Sequence, residues 1–194
     1  MNSKGFLLIA FILAALVQLY VPAKMIWDNE VVLEKGEEYK FRTAPIDPSD
    51  PFRGKYIILN YSDNSVRVSE EKDWTEGESL YAVLKKDNSG FAQIKSVSKV
   101  EPRESDSFIE VKVAYVSGDG SNELTIDYPF DRFYMEESKA YDAEQAYRQS
   151  QLDSSKVTYA LVGVQKGRAV LKDVLIDGVS IREIVIANQQ REKG

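Results

Sequence analysis

Neither cysteine nor histidine occurs among the 194 residues. The first absence removes disulfides, thiolate metal sites, haem attachment and cysteine nucleophiles. The second removes Ser-His-Asp triads, His-ligated zinc and the commonest general base. Carboxylate, lysine, tyrosine and serine-lysine chemistry is what remains. A phosphate-cradling loop and a dinucleotide fingerprint are also missing, and no cofactor is expected. Basic residues are in deficit. The chain carries a net charge of −6, and residues 1–26 hold two lysines and no acid, which leaves 23 basic against 31 acidic residues beyond them. A surface with a net charge of −8 repels phosphate backbones, so nucleic acid is not an expected partner.

The one long apolar run lies at the beginning. From Gly5 to Val21 the only strongly polar side chain is Gln18. As a helix at about 1.5 Å per residue, this run is about 26 Å long, and Pro22 to Ile26 extend it to nearly the thickness of a bilayer. Tyr20 and Trp27 stand where interfacial aromatics are enriched. The competing reading is a cleaved signal peptide, because Val21-Pro22-Ala23 resembles a small-residue cleavage site. The weakly basic start and the apolar Met25-Ile26-Trp27 favour a retained anchor, with bilayer contact through residues 5–26. The slight positive bias puts the N-terminus in the cytoplasm and the C-terminal domain outside, as a single-pass cell-membrane protein. The expected organisation is an anchor at 1–27, one β-rich domain at 28–188 and a polar frayed tail at 189–194.

Beyond the anchor the pattern is that of short strands. Val31-Val32-Leu33 and Tyr39 to Arg42 flank a Gly-containing turn, and Val66 and Val68 face together in a further strand. Ser79 to Lys85 and Phe91 to Val97 flank Asp87-Asn88-Ser89-Gly90, a hairpin signal. Phe108 to Tyr115 and Glu123 to Tyr128 flank a Gly-rich turn. Asp131 to Tyr134 then interrupts the strand rhythm and feeds the only helix expected outside the anchor. Ser138 is its expected cap, Glu144 with Arg148 an i,i+4 pair, and Ala140, Ala143 and Tyr147 its apolar side. Val157 to Gln165 and Arg168 to Leu175 follow around Lys166-Gly167. After an Asp177-Gly178 turn, a short last strand is expected near Ile181 to Ile186. The fold class is mainly β, a barrel- or sandwich-like domain of about ten strands with one helix.

The rest of the chain is organised around Arg53-Gly54-Lys55-Tyr56-Ile57-Ile58-Leu59-Asn60-Tyr61, a tight turn that runs into a strand behind the Pro-rich stretch Ala44 to Phe52. Gly54 takes a positive φ without steric cost and is the natural pivot. Ile57, Leu59 and Tyr61 share one face, and Tyr56, Ile58 and Asn60 the other. Both faces are substantially apolar, so the strand reads as buried on two sides.

Gly54, Tyr56, Leu59 and Tyr61, together with the approach Asp47-Pro48-x-Asp50-x-Phe52-Arg53, have the spacing of the motif that names the GDYXXLXY protein family, which the chain resembles. Lys55 stands where that motif has an acidic residue, so a role for that carboxylate does not carry over. The resemblance implies a membrane-anchored, mostly bacterial protein without an established activity, in company with a polytopic membrane protein.

The candidate binding residues are Asp47, Asp50, Arg53, Gly54, Tyr56 and Tyr61. Arg53 can hold a carboxylate or several carbonyls in a fixed fork, against the blander reading of a salt bridge to Asp47 or Asp50. Tyr56 and Tyr61 can stack on a ligand or bury their rings with the hydroxyls bonded to backbone, the commoner use. Asp47, Asp50, Asp63 and Asp119 offer oxygen ligands for calcium, but no full calcium loop is present and turn chemistry accounts for them. Asn60-Tyr61-Ser62 is a formal glycosylation acceptor inside a strand. The expected function is a non-enzymatic envelope module that docks on or supports another membrane protein. One alternative is a membrane-bound hydrolase of Ser/Lys or carboxylate type. The other is a ligand-sensing domain in which Tyr56, Tyr61, Phe133 and Tyr134 line a pocket closed by Arg53.

Overall fold

A computed structural model describes residues 3–45, 56–68, 74–103, 105, 107–117 and 122–192. Helix α1 (Ser3–Lys35) contains Pro22 and runs without interruption past the apolar stretch. The β region follows in the order β1 (Glu37–Ala44), β2 (Tyr56–Ile58), β3 (Asn60–Tyr61), β4 (Ser65–Arg67), β5 (Ser79–Lys86), β6 (Ala92–Ser98), β7 (Phe108–Val116), β8 (Glu123–Asp127) and β9 (Arg132–Tyr134). Helix α2 (Glu137–Leu152), β10 (Thr158–Gln165), β11 (Arg168–Ile176), β12 (Val179–Ser180) and helix α3 (Ile181–Glu192) complete the chain.

One antiparallel sheet has the order β12-β11-β10-β1-β3 and a second β4-β8-β7-β5-β6, while β2 and β9 form a two-stranded ribbon. Isolated bridges stitch the sheets together, Lys40 to Phe91 on one side and Ile109 to Gly167 on the other. The ribbon is joined through the Leu59 N–H, which donates to the Asp131 carbonyl at 2.8 Å. The result is mainly β and nearly closed into a barrel, so few ladder edges are left open. Alternation along the strands fills it: Leu80, Ala82 and Leu84 from β5, Val111 and Val113 from β7, and Val162 and Val164 from β10 all point inward. The hairpin expected around Asp87 is present, and the Asp87 carboxylate accepts from the N–H groups of Ser89 at 2.8 Å and Phe91 at 2.9 Å. Lys166-Gly167 and Asp177-Gly178 each carry positive φ at both residues, the geometry a two-residue hairpin turn needs.

Several expectations are corrected. Val31-Val32-Leu33 is not a strand but the last turns of α1, and only Val32 of the three is buried. Asp28, Val32 and Gly36 recur every fourth residue and present one helical stripe to the barrel. Arg132-Phe133-Tyr134 is a strand, paired with Tyr56-Ile57-Ile58. Ile181 to Ile186 belongs to α3, where Ile181 and Val185 are fully buried at i,i+4 spacing. The expected frayed tail is helical through Glu192, and Gln189 Nε2 ties it to α2 by donating to Asp142 at 2.6 Å and to the Ser138 carbonyl at 3.2 Å. A helix outside the anchor is therefore joined by a second one. The cap of α2 is Glu136 rather than Ser138, and its side chain makes no capping bond.

The central strand also differs from its reading. Ile57, Leu59 and Tyr61 are buried, whereas Tyr56 and Ile58 are half-buried and Asn60 is exposed. Burial is one-sided because the chain changes partner at Leu59, leaving β9 for β1.

Candidate functional site

Of the six candidate binding residues, Tyr56 and Tyr61 are among the described ones, and these two stand on opposite faces of the chain. Asp47, Asp50, Arg53 and Gly54 lie outside the described residues, as do Lys55 and the alternative calcium ligand Asp119. Tyr61 is part of the core: its hydroxyl donates to the Phe130 carbonyl at 2.7 Å, and its ring meets Phe41, Tyr128 and Phe130 edge-on at 5.9, 5.3 and 5.3 Å. Tyr56 stands on the outer face of the ribbon. Strand register sets it opposite Tyr134, with ring centroids 5.2 Å apart, and the Arg132 guanidinium lies 5.2 Å from the Tyr56 ring. Stacking of this kind adds about 0.5–1.5 kcal/mol beyond area burial. Tyr134 remains 61 % exposed. Phe133 points into the core, so Tyr56, Tyr61, Phe133 and Tyr134 do not line a common pocket.

Next to this ribbon a groove of about 540 Å³ runs between β3 and β8, lined by Ile58, Asn60, Tyr61, Asn64, Asp127 and Asp131. Ile58 pairs with Arg132, and Asp131 precedes it. The aromatic ribbon and the amide- and carboxylate-lined groove therefore form one continuous face. Arg132 was not among the candidates from sequence, and Tyr134 was one only in the ligand-sensing alternative. The alternation of Arg132-Phe133-Tyr134, one inward ring between two outward groups, is the signal that identifies them.

Beneath this face, hydroxyls link α2 to the sheet. Thr43 Oγ1 donates to the Thr158 carbonyl at 3.0 Å, and Gln151 Nε2 donates to Thr43 Oγ1 at 2.8 Å. Thr158 Oγ1 donates to Ser150 Oγ at 2.9 Å, and Ser150 Oγ donates to the Tyr147 carbonyl at 2.7 Å. Thr43, Ser150 and Thr158 are the buried polar residues among those described. Their mutual bonding is what such burial requires. Titratable groups show the same structural economy. Lys86 and Ser107 beside Glu37, Lys99 beside Glu78 and the Phe91 and Ser89 N–H groups on Asp87 hold those carboxyls below their usual range. A general acid needs the opposite shift. Among the described residues no group of three or more acidic side chains is arranged to hold a metal ion.

Burial pushes the phenols of Tyr61, Tyr128 and Tyr147 up, that of Tyr147 to about 12. Because the folded state holds these protons more tightly than an unfolded phenol of pKa about 10, their stabilising effect is complete below about pH 10 and is lost as pH rises towards the folded values. Far-ultraviolet dichroism recorded with phenolate absorbance is therefore expected to show one absorbance phase coincident with loss of the β signal above pH 10. An absorbance titration complete before any structural change would contradict the burial of these hydroxyls.

The junction between α1 and the barrel is equally built. Val32 is 2 % exposed against β10. A Cβ at Gly36 would overlap the Val32 carbonyl oxygen and lie 3.1 Å from the Val164 nitrogen, and one at Gly163 would lie 3.0 Å from the Val32 oxygen. Asp28 bridges Lys24 at 2.7 Å and Arg168 at 2.9 Å. No flexible linker separates helix from sheet.

These features define a class: a nearly closed β domain fixed directly to one long N-terminal apolar helix. The model of the GDYXXLXY protein family matches residues 18–174, and the chain belongs to that family. Comparison with curated proteins and with solved structures gives no match.

Proposed function

We propose that the chain is a non-enzymatic, single-pass membrane module that docks on another membrane protein, with residues 5–26 in the bilayer and the β domain outside the cytoplasm. Helix α1 is long and apolar enough to cross a membrane, and its large side chains from Phe6 to Trp27 are exposed along its length. A bilayer gives that surface a solvent. The observation that carries the docking role is the Tyr56-Tyr134-Arg132 ribbon face. Two rings and a guanidinium, held in register by a short ladder with Tyr56 half-buried and Tyr134 and Arg132 exposed, are the residue types that dominate binding energy at protein interfaces. The weld between α1 and the barrel supports the reading, because it presents this face at a fixed angle to the membrane and removes part of the ordering cost of association.

The test uses the full chain, tagged at its C-terminus and extracted in mild detergent from the cell that makes it. A stoichiometric membrane-protein partner is expected in the wild-type eluate. Arg132→Glu with Tyr134→Ala is expected to lower its recovery by roughly 30-fold, the loss of one interface hot spot. Tyr115→Ala, on exposed β7 surface, serves as the control. Recovery of a monomer alone, or equal recovery from wild type and the double variant, overturns the proposal.

A further inference from the structure

Strands β2 and β4 belong to one long ladder that parts in its middle. Tyr56 to Ile58 pair with Tyr134 to Arg132, and Ser65 to Arg67 pair with Thr125 to Glu123, in a single antiparallel register. The intervening residues, 59–64 on one strand and 126–131 on the other, are equal in number, so neither strand carries an insertion. Both ends of this interval are still bonded: the Leu59 N–H donates to the Asp131 carbonyl and the Ile126 N–H to the Asn64 carbonyl, each at 2.8 Å. Between them the strands separate. The register sets Tyr61 opposite Pro129, which has no N–H to give the Tyr61 carbonyl. Two phenols span the interval instead, Tyr61 donating to the Phe130 carbonyl at 2.7 Å and Tyr128 to the Asp63 carbonyl. The opening is the groove of about 540 Å³ beside the ribbon.

The strand edge in this groove is defined by its other neighbour. Tyr61 stands opposite Thr43 on β1, and the Ser62 N–H donates to the Arg42 carbonyl at 3.1 Å. In an antiparallel ladder that bond makes Thr43–Tyr61 a non-hydrogen-bonded pair, so the Tyr61 N–H and C=O point away from β1, towards the groove. No backbone partner meets them there among the described residues. An open strand position of this kind is where an extended segment adds to a sheet. Side chains set the charge of that segment. Asn60, Asn64, Asp127 and Asp131 line the groove, and no cation does. Asp127 is exposed and makes no ion pair among the described residues. Asp131 is paired with Arg132 at 3.8 Å, with both side chains more than half exposed, an arrangement that contributes little. We propose that the groove receives an extended segment of the membrane partner, its backbone bonded to the Tyr61 N–H and C=O and an arginine side chain set against Asp127 and Asp131. An anionic or wholly apolar segment would desolvate two carboxylates without pairing them. The inference rests on the docking proposed above, and it adds the conformation and charge of what docks.

Residue-resolved hydrogen exchange on the full chain in mild detergent tests the open edge. In the free protein the Tyr61 amide is expected to exchange roughly tenfold faster than that of Ser62, which is bonded to β1. With the partner bound it slows to the Ser62 rate. A Tyr61 amide already as protected as Ser62 in the free chain overturns the edge. The occupant is identified by placing benzoylphenylalanine at position 64 in place of Asn64, irradiating the cells that make the chain, and sequencing the cross-linked peptide. An extracytoplasmic segment of a membrane protein with an arginine within a few residues of the cross-link is expected. A second copy of this chain, or a segment without a basic residue, overturns the inference. Asp127→Asn with Asp131→Asn is expected to lower recovery of the partner roughly tenfold at an unchanged unfolding midpoint. Full recovery by that variant, while Arg132→Glu with Tyr134→Ala still loses the partner, overturns the groove and leaves docking at the ribbon standing. A monomer in every eluate overturns both.

Discussion

Phe41→Ala is expected to lower the unfolding free energy of the β domain by about 3–5 kcal/mol, the range for a buried aromatic. Phe41 is 1 % exposed, and its ring centroid lies 5.9, 5.1 and 4.9 Å from those of Tyr61, Tyr128 and Phe130, all edge-on. Two of those neighbours are tethered by their hydroxyls, Tyr61 to the Phe130 carbonyl and Tyr128 to the Asp63 carbonyl. They cannot swing into the vacated space without breaking these bonds. The void therefore persists, and the cavity cost adds to the lost transfer free energy. Phe41→Leu keeps most of the volume and is expected to cost below about 1.5 kcal/mol. Urea unfolding in mild detergent, followed by far-ultraviolet dichroism, measures both. A midpoint for Phe41→Ala no lower than that of Tyr141→Ala, an exposed ring on α2, would refute the account of the core.

The elements legible in the sequence are those whose pattern is local. The Asp87 to Gly90, Lys166-Gly167 and Asp177-Gly178 turns each sit where composition and alternation put them, because turn chemistry acts over four residues. Ala140, Ala143 and Tyr147 likewise face inward on α2, and Glu144 bonds Arg148 at 2.7 Å. The misread segments are short apolar runs whose period is ambiguous over five or six residues. Val31-Val32-Leu33 has strand composition, yet the helix has already been nucleated upstream and extending it costs little. Ile181, Ile184 and Val185 fit helical spacing as well as alternation, and burial of Ile181 and Val185 decides for the helix. At the candidate site, Tyr56 and Tyr61 were legible as strand residues on opposite faces. The pairing of Tyr56 with Tyr134 was not, since they are far apart in the chain and only sheet register brings them together. Nor could sequence identify Gly36 and Gly163 as contact points, because the atom each avoids is the carbonyl of Val32.

That contact makes Gly36→Val the most consequential change at the junction. Its side chain would have to occupy the space of the Val32 carbonyl oxygen and of the Val164 backbone, at 3.1 Å from the nitrogen and 3.2 Å from the oxygen. Backbone cannot rotate away as a side-chain tip can, so the end of α1 must lift from β10. The lift removes Val32 from the core and lengthens the Asp28–Arg168 ion pair, now 2.9 Å. The expected cost is about 1–3 kcal/mol, the range of an overpacked core. It is paired with a geometric effect that Phe41→Ala does not have. In the wild type, spin labels at Met25→Cys on α1 and Leu152→Cys at the distal end of the barrel are expected to give one narrow distance distribution. In Gly36→Val that distribution broadens, and proteolysis between residues 28 and 36 accelerates. Gly5→Val, where nothing lies within 4 Å, changes neither. If Gly36→Val keeps both the narrow distribution and the wild-type midpoint, the helix is not welded to the sheet, and the fixed presentation of the Tyr56-Tyr134 face fails with it.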